Sequence, residues 1–347
     1  MSARVHQSRE YGGHVPLAIA TRGEAVENVH YGSIAVVSGD GDLLGHLGDP
    51  ECLTFTRSTL KPLQAMPLLA HPDVERLRLA PAEIALLCAS HSGEPEHLRT
   101  VASMLARIGC REEDLQCGVH VPLYYECIGA PIPSGAVFTS LHHACSGNHT
   151  GMLALAKLLE VPLERYLDPE SEAQRQILEA VTYFSDVPRD ALCLGVDGCS
   201  APNAALPLSG LALAYAKLTR HGTDPHYGKA PQRILEAMAA HPYHVSGSRR
   251  TDFILARAGA GAWLTKIGAD GVHAMAIESR GWGIAIKIAD GSARVQPMVA
   301  ASVLRQLGLL QDPADEDLKT LEQGAILNCR GLQTGRIQAV FELDRPW

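Results

Sequence analysis

The spacing of hydrophobic and polar residues predicts strands at both ends of the chain and helices between them. The opening predicts a β-meander, with a strand over 15–21, two β-like runs over 25–31 and 32–37, and a returning strand over 43–47. The turn Gly39-Asp40-Gly41-Asp42 precedes that last strand and is typical of a hairpin. No G-x-G-x-x-G motif follows these strands, which argues against a dinucleotide-binding fold.

Helical periodicity dominates the middle of the chain. Helices are predicted over 59–70, 82–89, 95–108, 152–159, 170–184, 208–220, 231–240 and 249–258. A buried strand is predicted inside this block, over 192–196. The segment 116–148 is rich in loop residues but carries little charge and many apolar residues, which favours a functional loop region over disorder.

Strand patterns return in the last third of the chain. Strands are predicted over 261–267, 272–277, 283–288 and 335–343, with a helix over 296–309 and an acidic connector over 311–320. This order predicts an α+β fold, in which the N- and C-terminal strands form one antiparallel sheet and residues 59–260 form an inserted, mainly helical region. We expect one domain over 1–347, with a flexible start at 1–12.

Composition narrows the classes of partner. The chain has 347 residues, 46% of them hydrophobic, and a net charge of -8, which disfavours nucleic acid and anionic membrane as partners. No apolar run approaches the roughly 18 residues of a membrane span. The polar N-terminus lacks a signal-peptide core, so we expect a cytoplasmic protein whose nine cysteines are reduced thiols. No C-x-x-C pair is present, and so no zinc ribbon or finger is predicted.

The segment Arg57-Ser58-Thr59-Leu60-Lys61-Pro62 carries the first candidate chemistry. Ser58 and Lys61 are three residues apart, a spacing that places two side chains on one face of a helix. A lysine whose pKa is lowered by burial can accept the proton of a serine nucleophile. An S-x-x-K spacing is also common at exposed helix starts, so the hypothesis depends on further elements.

Two later segments supply such elements. Ser90 lies in the cluster Cys88-Ala89-Ser90-His91-Ser92-Gly93-Glu94 between two predicted helices, and Lys266 precedes Gly268 at the end of a predicted strand. Their order along the chain follows the S-x-x-K, S-D-N and K-T-G elements of penicillin-recognising enzymes. Lys287, in an apolar strand, is the alternative second lysine. Either lysine is also compatible with a plain surface position on a strand.

Cys145 and Cys199 both lie in turns of small residues, and His149 follows four residues after Cys145. Thiolate and imidazole are zinc ligands, so these residues form a candidate metal site. Buried free thiols are the alternative.

Seven segments in order resemble the asparaginase II family of the Rhizobium etli type. They are Arg22-Gly23 with Val26-Glu27 and His30-x-Gly32; Gly48-Asp49-Pro50; Phe55-x-Arg57-Ser58-x-x-Lys61-Pro62-x-Gln64-Ala65; Cys88-Ala89-Ser90-His91-Ser92-Gly93-Glu94; Gln116-Cys117-Gly118; Cys145-Ser146-Gly147-x-His149-x-Gly151-Met152-Leu153; and Gly195-Val196-Asp197-Gly198-Cys199-Ser200-Ala201-Pro202-Asn203. The resemblance covers nearly the whole chain. It implies a fold similar to that of serine β-lactamases and glutaminases, and hydrolysis of L-asparagine to L-aspartate and ammonia.

The same resemblance implies two Ser–Lys pairs, Ser58 with Lys61 and Ser90 with Lys266, and a homodimer. It also implies a zinc site made by Cys145, Cys199 and a lysine of the family pattern C-S-G-K-H. This chain has Asn148 at the lysine position, and an amide is a weaker zinc ligand than an amine.

Charge matching adds candidate substrate contacts. Arg57 is suited to the substrate carboxylate and Asp197 to its α-ammonium group, and we group His149 with them. Three points stay open: the preference for asparagine or glutamine, the serine that attacks first, and occupancy by a metal. Two other functions are compatible with this chain, a β-lactamase-like esterase or peptidase and a non-catalytic amino-acid-binding protein on the same fold.

Overall fold

The structure, a computed structural model, describes residues 13–310 and 315–343. The flexible start that the sequence predicts at 1–12 lies outside these residues. Within them, no helix has both the length and the apolar character needed to cross a membrane.

The larger sheet contains strands from both ends of the chain. The strands of the structure are β1 (Val15–Arg22), β2 (Ala25–Ser38), β3 (Leu43–Leu47), β4 (Leu53–Phe55), β5 (Cys193–Val196), β6 (Pro202–Pro207), β7 (Trp263–Ile267), β8 (Val272–Ile277), β9 (Trp282–Ile288), β10 (Ala325–Leu327) and β11 (Gln333–Ala339). Eight of them form one sheet in the order β10-β11-β1-β2-β9-β8-β7, with β3 also paired to β2. Their pairings are antiparallel. The predicted α+β arrangement is therefore confirmed.

β2 is one continuous strand of 14 residues instead of two short runs. It pairs with β1 over its first part and with β3 and β9 over its second part, so a single long strand connects both halves of the sheet. Gly32 lies where these pairings meet. A Cβ atom there would come within 2.3 Å of the Lys287 carbonyl oxygen, so only glycine allows the strands to approach this closely.

Helices fill the middle of the chain and flank the sheet. The α-helices are α1 (Lys61–Gln64), α2 (Met66–Ala70), α3 (Pro81–Leu87), α4 (Pro95–Arg107), α5 (Leu123–Cys127), α6 (Ser146–Leu158), α7 (Glu172–Ser185), α8 (Leu208–Leu218), α9 (Ala230–Ala240), α10 (Pro242–Ser246), α11 (Thr251–Gly259), α12 (Gln296–Gln306) and α13 (Glu316–Gln323). Short 3₁₀ helices connect several of them. One of these, Arg57–Leu60, leads directly into α1.

Two hydrophobic cores lie on opposite faces of the sheet. The larger core packs α1 to α4 and α6 to α9 against residues such as Ala35, Ala274 and Ala285. The smaller core packs α12 and α13 against their strand neighbours, among them Ile34, Met275 and Ile286. Successive side chains of one strand, such as Ile34 and Ala35, thus belong to different cores, as expected for a sheet that is covered on both faces.

Four local predictions are wrong. The helix expected over 59–70 is divided into a 3₁₀ turn, α1 and α2, because Pro62 and Pro67 lie in the first turns of two new helical segments. The helix expected at Met152 begins six residues earlier, at Ser146. Residues of that first turn are buried, so their small polar side chains are part of the interior instead of a loop.

The other two wrong predictions concern the exposure of a strand and a helix that the sequence did not predict. The strand at 192–196, expected to be buried, is mostly exposed because it is an edge strand of the small sheet β4-β6-β5. The acidic connector at 311–320 contains the start of α13. There the Asp315 carboxylate accepts hydrogen bonds from two backbone N–H groups of the first turn, and Leu318 is buried.

Candidate active site

Lys61 is the centre of the candidate site. It is the first residue of α1 and is only 3% exposed. Its Nζ donates to the Ala89 carbonyl at 2.5 Å, to Ser90 Oγ at 3.0 Å and to Cys145 Sγ at 3.0 Å. These three contacts use the full donor capacity of an ammonium group. The side chain of Lys61 is therefore held in one orientation, against a serine hydroxyl and a thiol.

Ser90 is positioned by its backbone on both sides. It lies in the segment between α3 and α4, where its N–H donates to the Val245 carbonyl at 2.9 Å. Its carbonyl accepts a hydrogen bond from Arg250 Nη1 at 2.9 Å. The residue is buried, and its hydroxyl faces Lys61. The structure thus brings a serine hydroxyl and a lysine amine into hydrogen-bond contact.

The serine in that contact differs from the one the i, i+3 spacing suggested. Ser58 is half-buried in the 3₁₀ turn, and its hydroxyl makes no hydrogen bond within the described residues. Lys61 instead bonds Ser90, because all three N–H groups of Lys61 are directed to residues 89, 90 and 145. A catalytic role for Ser58 remains a prediction.

Lys266 lies on β7 and is fully buried. Its Nζ donates to the Ile267 carbonyl at 2.7 Å and lies 3.4 Å from Asp252 Oδ2. Burial lowers the pKa of Lys266 to about 8, against the opposing effect of the Asp252 charge, and the positive charge of Lys61 adds to the lowering. Lys266 therefore titrates near neutral pH, although no hydrogen bond joins it to Ser90 in the described residues.

Asp252 is a residue that the sequence did not single out. It is the second residue of α11 and is 1% exposed. An acidic residue in the first turn of a helix is ordinarily explained by the helix dipole, so spacing alone gave no signal for it. Only the fold shows that this carboxylate faces Lys266.

Arg57 and Asp197 meet as an ion pair. Arg57 Nε donates to Asp197 Oδ1 at 2.6 Å, and the same guanidinium also pairs with Asp270. Arg57 has a φ of 49°, a left-handed conformation that is uncommon outside glycine, and its N–H donates to Asn203 Oδ1 at 3.3 Å. Two of the three residues that the sequence assigned to substrate binding are therefore adjacent, beside an acidic residue, Asp270, that it did not assign.

A cavity of about 400 Å³ opens beside this ion pair. Its lining combines charged side chains with exposed apolar ones: Leu53, Thr54, Phe55, Arg57, Gly195, Val196, Asp197, Asn203, Asp270, Val272 and Lys287. Lys287, the alternative second lysine, donates to the carbonyls of Asp270 at 2.5 Å and Ile288 at 2.7 Å. Burial lowers its pKa, but its contacts are with the cavity wall and not with a serine of the described residues.

Cys145 and Cys199 lie together next to Lys61. A hydrogen bond from Cys199 and the positive charge of Lys61 hold the pKa of Cys145 well below its usual range, and the same contact raises the pKa of Cys199. Both thiols are free and buried. The prediction that these two residues share a site is therefore consistent with the geometry, as an unsymmetrical thiol pair that also contacts the lysine.

The zinc site implied by the resemblance needs a third ligand. Asn148 directs its Nδ2 to the Leu87 carbonyl at 3.0 Å, and its buried Oδ1 has no partner among the described residues. The same residues contain no group of three His, Cys, Asp or Glu side chains that could hold a metal ion. Two thiols and a neutral amide oxygen do not fit a structural zinc set. No step of the proposed reaction is therefore assigned to zinc.

His149 is fully buried on α6. Its Nδ1 lies 2.6 Å from the Tyr166 hydroxyl, and its Nε2 has no partner among the described residues. Burial lowers the pKa of His149 to about 3, so the ring is neutral in its folded environment. Its hydrogen bond is to Tyr166 and not to Arg57 or Asp197, and its role as a substrate contact stays a prediction.

The geometry defines an α+β protein with a buried Ser–Lys contact and a charged cavity at Arg57 and Asp197. The family model described as L-asparaginase II matches residues 18–339, and the chain belongs to this family. The family supports an amidohydrolase, an enzyme that hydrolyses the C–N bond of an amide.

Several solved structures are similar to this chain at low sequence identity. The native form of Mglu is 14% identical, with a TM-score of 0.45 over 82% of this chain and 66% of that chain. A β-lactamase from Mycobacterium bovis is 14% identical, with a TM-score of 0.41 over 79% of this chain and 94% of that chain. A putative β-lactamase from Bacteroides dorei is 12% identical, with a TM-score of 0.41 over 79% and 93% of the two chains. This chain thus spans just under two thirds of Mglu, and no curated protein sequence matches it.

Proposed function

We propose that this protein hydrolyses L-asparagine to L-aspartate and ammonia by acyl transfer. The observation that carries the proposal is the 3.0 Å contact between Lys61 Nζ and Ser90 Oγ, inside a chain of the L-asparaginase II family. Both residues are buried, so a proton passed between them does not exchange freely with water.

The first step forms an ester on the enzyme. With Lys61 in its neutral form, Ser90 Oγ attacks the side-chain amide carbon and its proton passes to Lys61 Nζ. The tetrahedral intermediate then collapses, the C–N bond breaks, and the proton leaves with ammonia. Water attacks the ester carbon in the second step, releasing aspartate and restoring the serine hydroxyl.

Ser58 and Lys266 complete the proposed set. Ser58 lies one helical turn before Lys61 and next to Arg57, which lines the cavity, and we assign it to proton relay or, as the alternative, to the first attack. We assign Lys266 to the electrostatics of Lys61, because the positive charges of the two lysines repel each other. Each assignment rests on position and charge together with the family.

Arg57 and Asp197 support a zwitterionic substrate. They present opposite charges at 2.6 Å from each other, at the edge of the 400 Å³ cavity. An amino acid that enters between them exchanges one protein ion pair for two charge-matched contacts, with its carboxylate on Arg57 and its ammonium on Asp197. This arrangement favours a free amino acid amide over an ester or a β-lactam.

Ammonia release from the purified protein tests the proposal. We expect release from L-asparagine, with L-glutamine as the competing amide and a chelator added in parallel to test the metal. Hydrolysis of nitrocefin without ammonia release would instead indicate the β-lactamase-like esterase. Tight binding of asparagine without turnover would indicate a binding protein. The homodimer implied by the family resemblance is a separate prediction, tested by light scattering.

A further inference from the structure

Asp252 lies in the first turn of α11, but its carboxylate contacts β7, the strand that carries Lys266. Its Oδ1 accepts hydrogen bonds from the Ile267 N–H at 2.8 Å and from Thr265 Oγ1 at 3.3 Å. Its Oδ2 accepts from the same N–H at 3.1 Å and lies 3.4 Å from Lys266 Nζ. The carboxylate thus fixes the backbone on the C-terminal side of Lys266 as well as its side chain.

The charges around Lys266 make this carboxylate its counter-ion. Lys61 and Arg250 are the neighbouring cations, and both disfavour a protonated Lys266. Cys88 and His273 also face it, but burial raises the pKa of Cys88 to about 12 and lowers that of His273 to about 4, so both are neutral near pH 7. Among the described residues around Lys266, Asp252 is therefore the anion.

The segment before Asp252 contacts the other candidate residue. Two positions earlier, Arg250 donates to the Ser90 carbonyl at 2.9 Å. The start of the segment is held by Glu94, whose Oε1 accepts the Ser248 N–H at 2.9 Å. Residues 248–252 therefore connect Ser90 and Lys266 through one short stretch of backbone at the start of α11.

We propose that Asp252 is a positioning residue for Lys266: it fixes the lysine side chain and sets the pH at which that lysine loses its proton. The role rests on the proposed amidohydrolase function and requires no contact between Asp252 and substrate. Because Asp252 stabilises the ammonium form, its neutralisation lets Lys266 lose its proton at lower pH.

The variant Asp252→Asn keeps the shape and removes the charge. The readout is the pH dependence of ¹³Cε lysine signals in the full chain, with Lys266→Arg used to assign the Lys266 resonance. We expect the Lys266 titration, and with it the alkaline limb of kcat/KM for ammonia release, to move about 1 to 3 pH units lower. Thr265→Val is the matched control, since it removes one hydrogen bond to Asp252 and leaves the charge. Its titration should stay at the wild-type pH.

Asp252→Glu serves as the charge-retaining variant, and we expect its Lys266 signal to titrate within about one unit of wild type. An unchanged Lys266 titration in Asp252→Asn would overturn the proposal. If Asp252→Asn does not fold, Asp252→Ser is the second variant without the charge: a Lys266 titration at lower pH would support the proposal, and an unchanged titration would overturn it. Absence of ammonia release from the wild type would refute the proposed function alone, because the lysine signals report Asp252 without turnover.

Discussion

The two buried lysines of the site have similar exposure and different partners. Lys61 contacts a carbonyl, a hydroxyl and a thiol, whereas Lys266 contacts a carbonyl and lies beside a carboxylate. A lysine that faces a hydroxyl can exchange a proton with it, while a lysine beside a carboxylate has its charge adjusted. Under the proposed function we assign Lys61 to the proton transfer and Lys266 to the electrostatic environment in which that transfer occurs.

Loss of Lys61 should have the largest effect. We expect Lys61→Met to lower kcat on the order of a thousandfold, because the proton acceptor for Ser90 is removed. The matched control is Lys217→Met. Lys217 is also a buried lysine, but it bonds Tyr183 and Asp186 and no residue of the site. Ammonia release and circular dichroism of both variants separate catalysis from folding. Equal losses of kcat in Lys61→Met and Lys217→Met would contradict a specific catalytic role for Lys61.

Loss of the Ser90 hydroxyl should come next. Ser90→Ala leaves Lys61 without its hydroxyl partner, and we expect kcat to fall roughly a hundredfold to ten-thousandfold. Ser58→Ala should also lower kcat strongly if Ser58 relays the proton. Ser185→Ala is the control, a buried serine that bonds only the backbone of its own helix end. Near-full kcat in Ser90→Ala would contradict the role given to this hydroxyl.

The pH dependence of kcat/KM further distinguishes Lys266 from Lys61. Lys266 has a pKa of about 8, so it is mainly protonated below that pH and mainly neutral above it. We expect kcat/KM of the wild type to fall as pH increases through about 8, because the Lys266 charge that repels a second positive charge on Lys61 is lost and the neutral, proton-accepting form of Lys61 is then less favoured. In Lys266→Met this fall should disappear. A profile that keeps the same limb in the variant would assign it to another group.

The smallest expected effect is on the free energy of unfolding at acid pH, through His273, which lies near Lys266. Burial lowers the pKa of His273 to about 4 in the folded protein, against 6.5 when unfolded. Between these values the unfolded chain binds more protons, so the free energy of unfolding falls as pH decreases from about 6.5 to 4, by up to about 3 kcal/mol from this group. Urea denaturation of wild type and His273→Gln should show a shallower pH dependence in the variant. Identical slopes would indicate that His273 does not contribute.

The sequence predicts the fold better than the contacts of the site. Strand-like runs bounded by glycine at 272–277 and 283–288 placed β8 and β9 almost to the residue, since both faces of each strand are covered. Helix starts were less accurate: Ser146, Gly147 and Asn148 resemble a turn, and only tertiary burial makes them helical. Exposure of β5 was also missed, since an edge position is set by pairing and not by hydrophobicity.

Site residues were found by type and spacing, but their partners were not. Ser58, Lys61, Ser90 and Lys266 were all singled out, yet the bond between Lys61 and Ser90 spans 29 positions and depends on tertiary packing that brings the start of α1 to the segment after α3. Asp252 and Asp270 had no distinctive pattern, because each occupies a position where an acidic residue is ordinary. Local spacing therefore predicts which residues to examine, and the fold determines which of them meet.

The most direct test of the Lys61–Ser90 pair is to identify the serine that becomes modified. An asparagine analogue with a diazoketone in place of the side-chain amide alkylates an activated hydroxyl, and peptide mass spectrometry locates the adduct. We expect modification of Ser90 in the wild type and none in Lys61→Met. Modification of Ser58, with Ser90 left unmodified, would contradict the role of the Lys61–Ser90 pair.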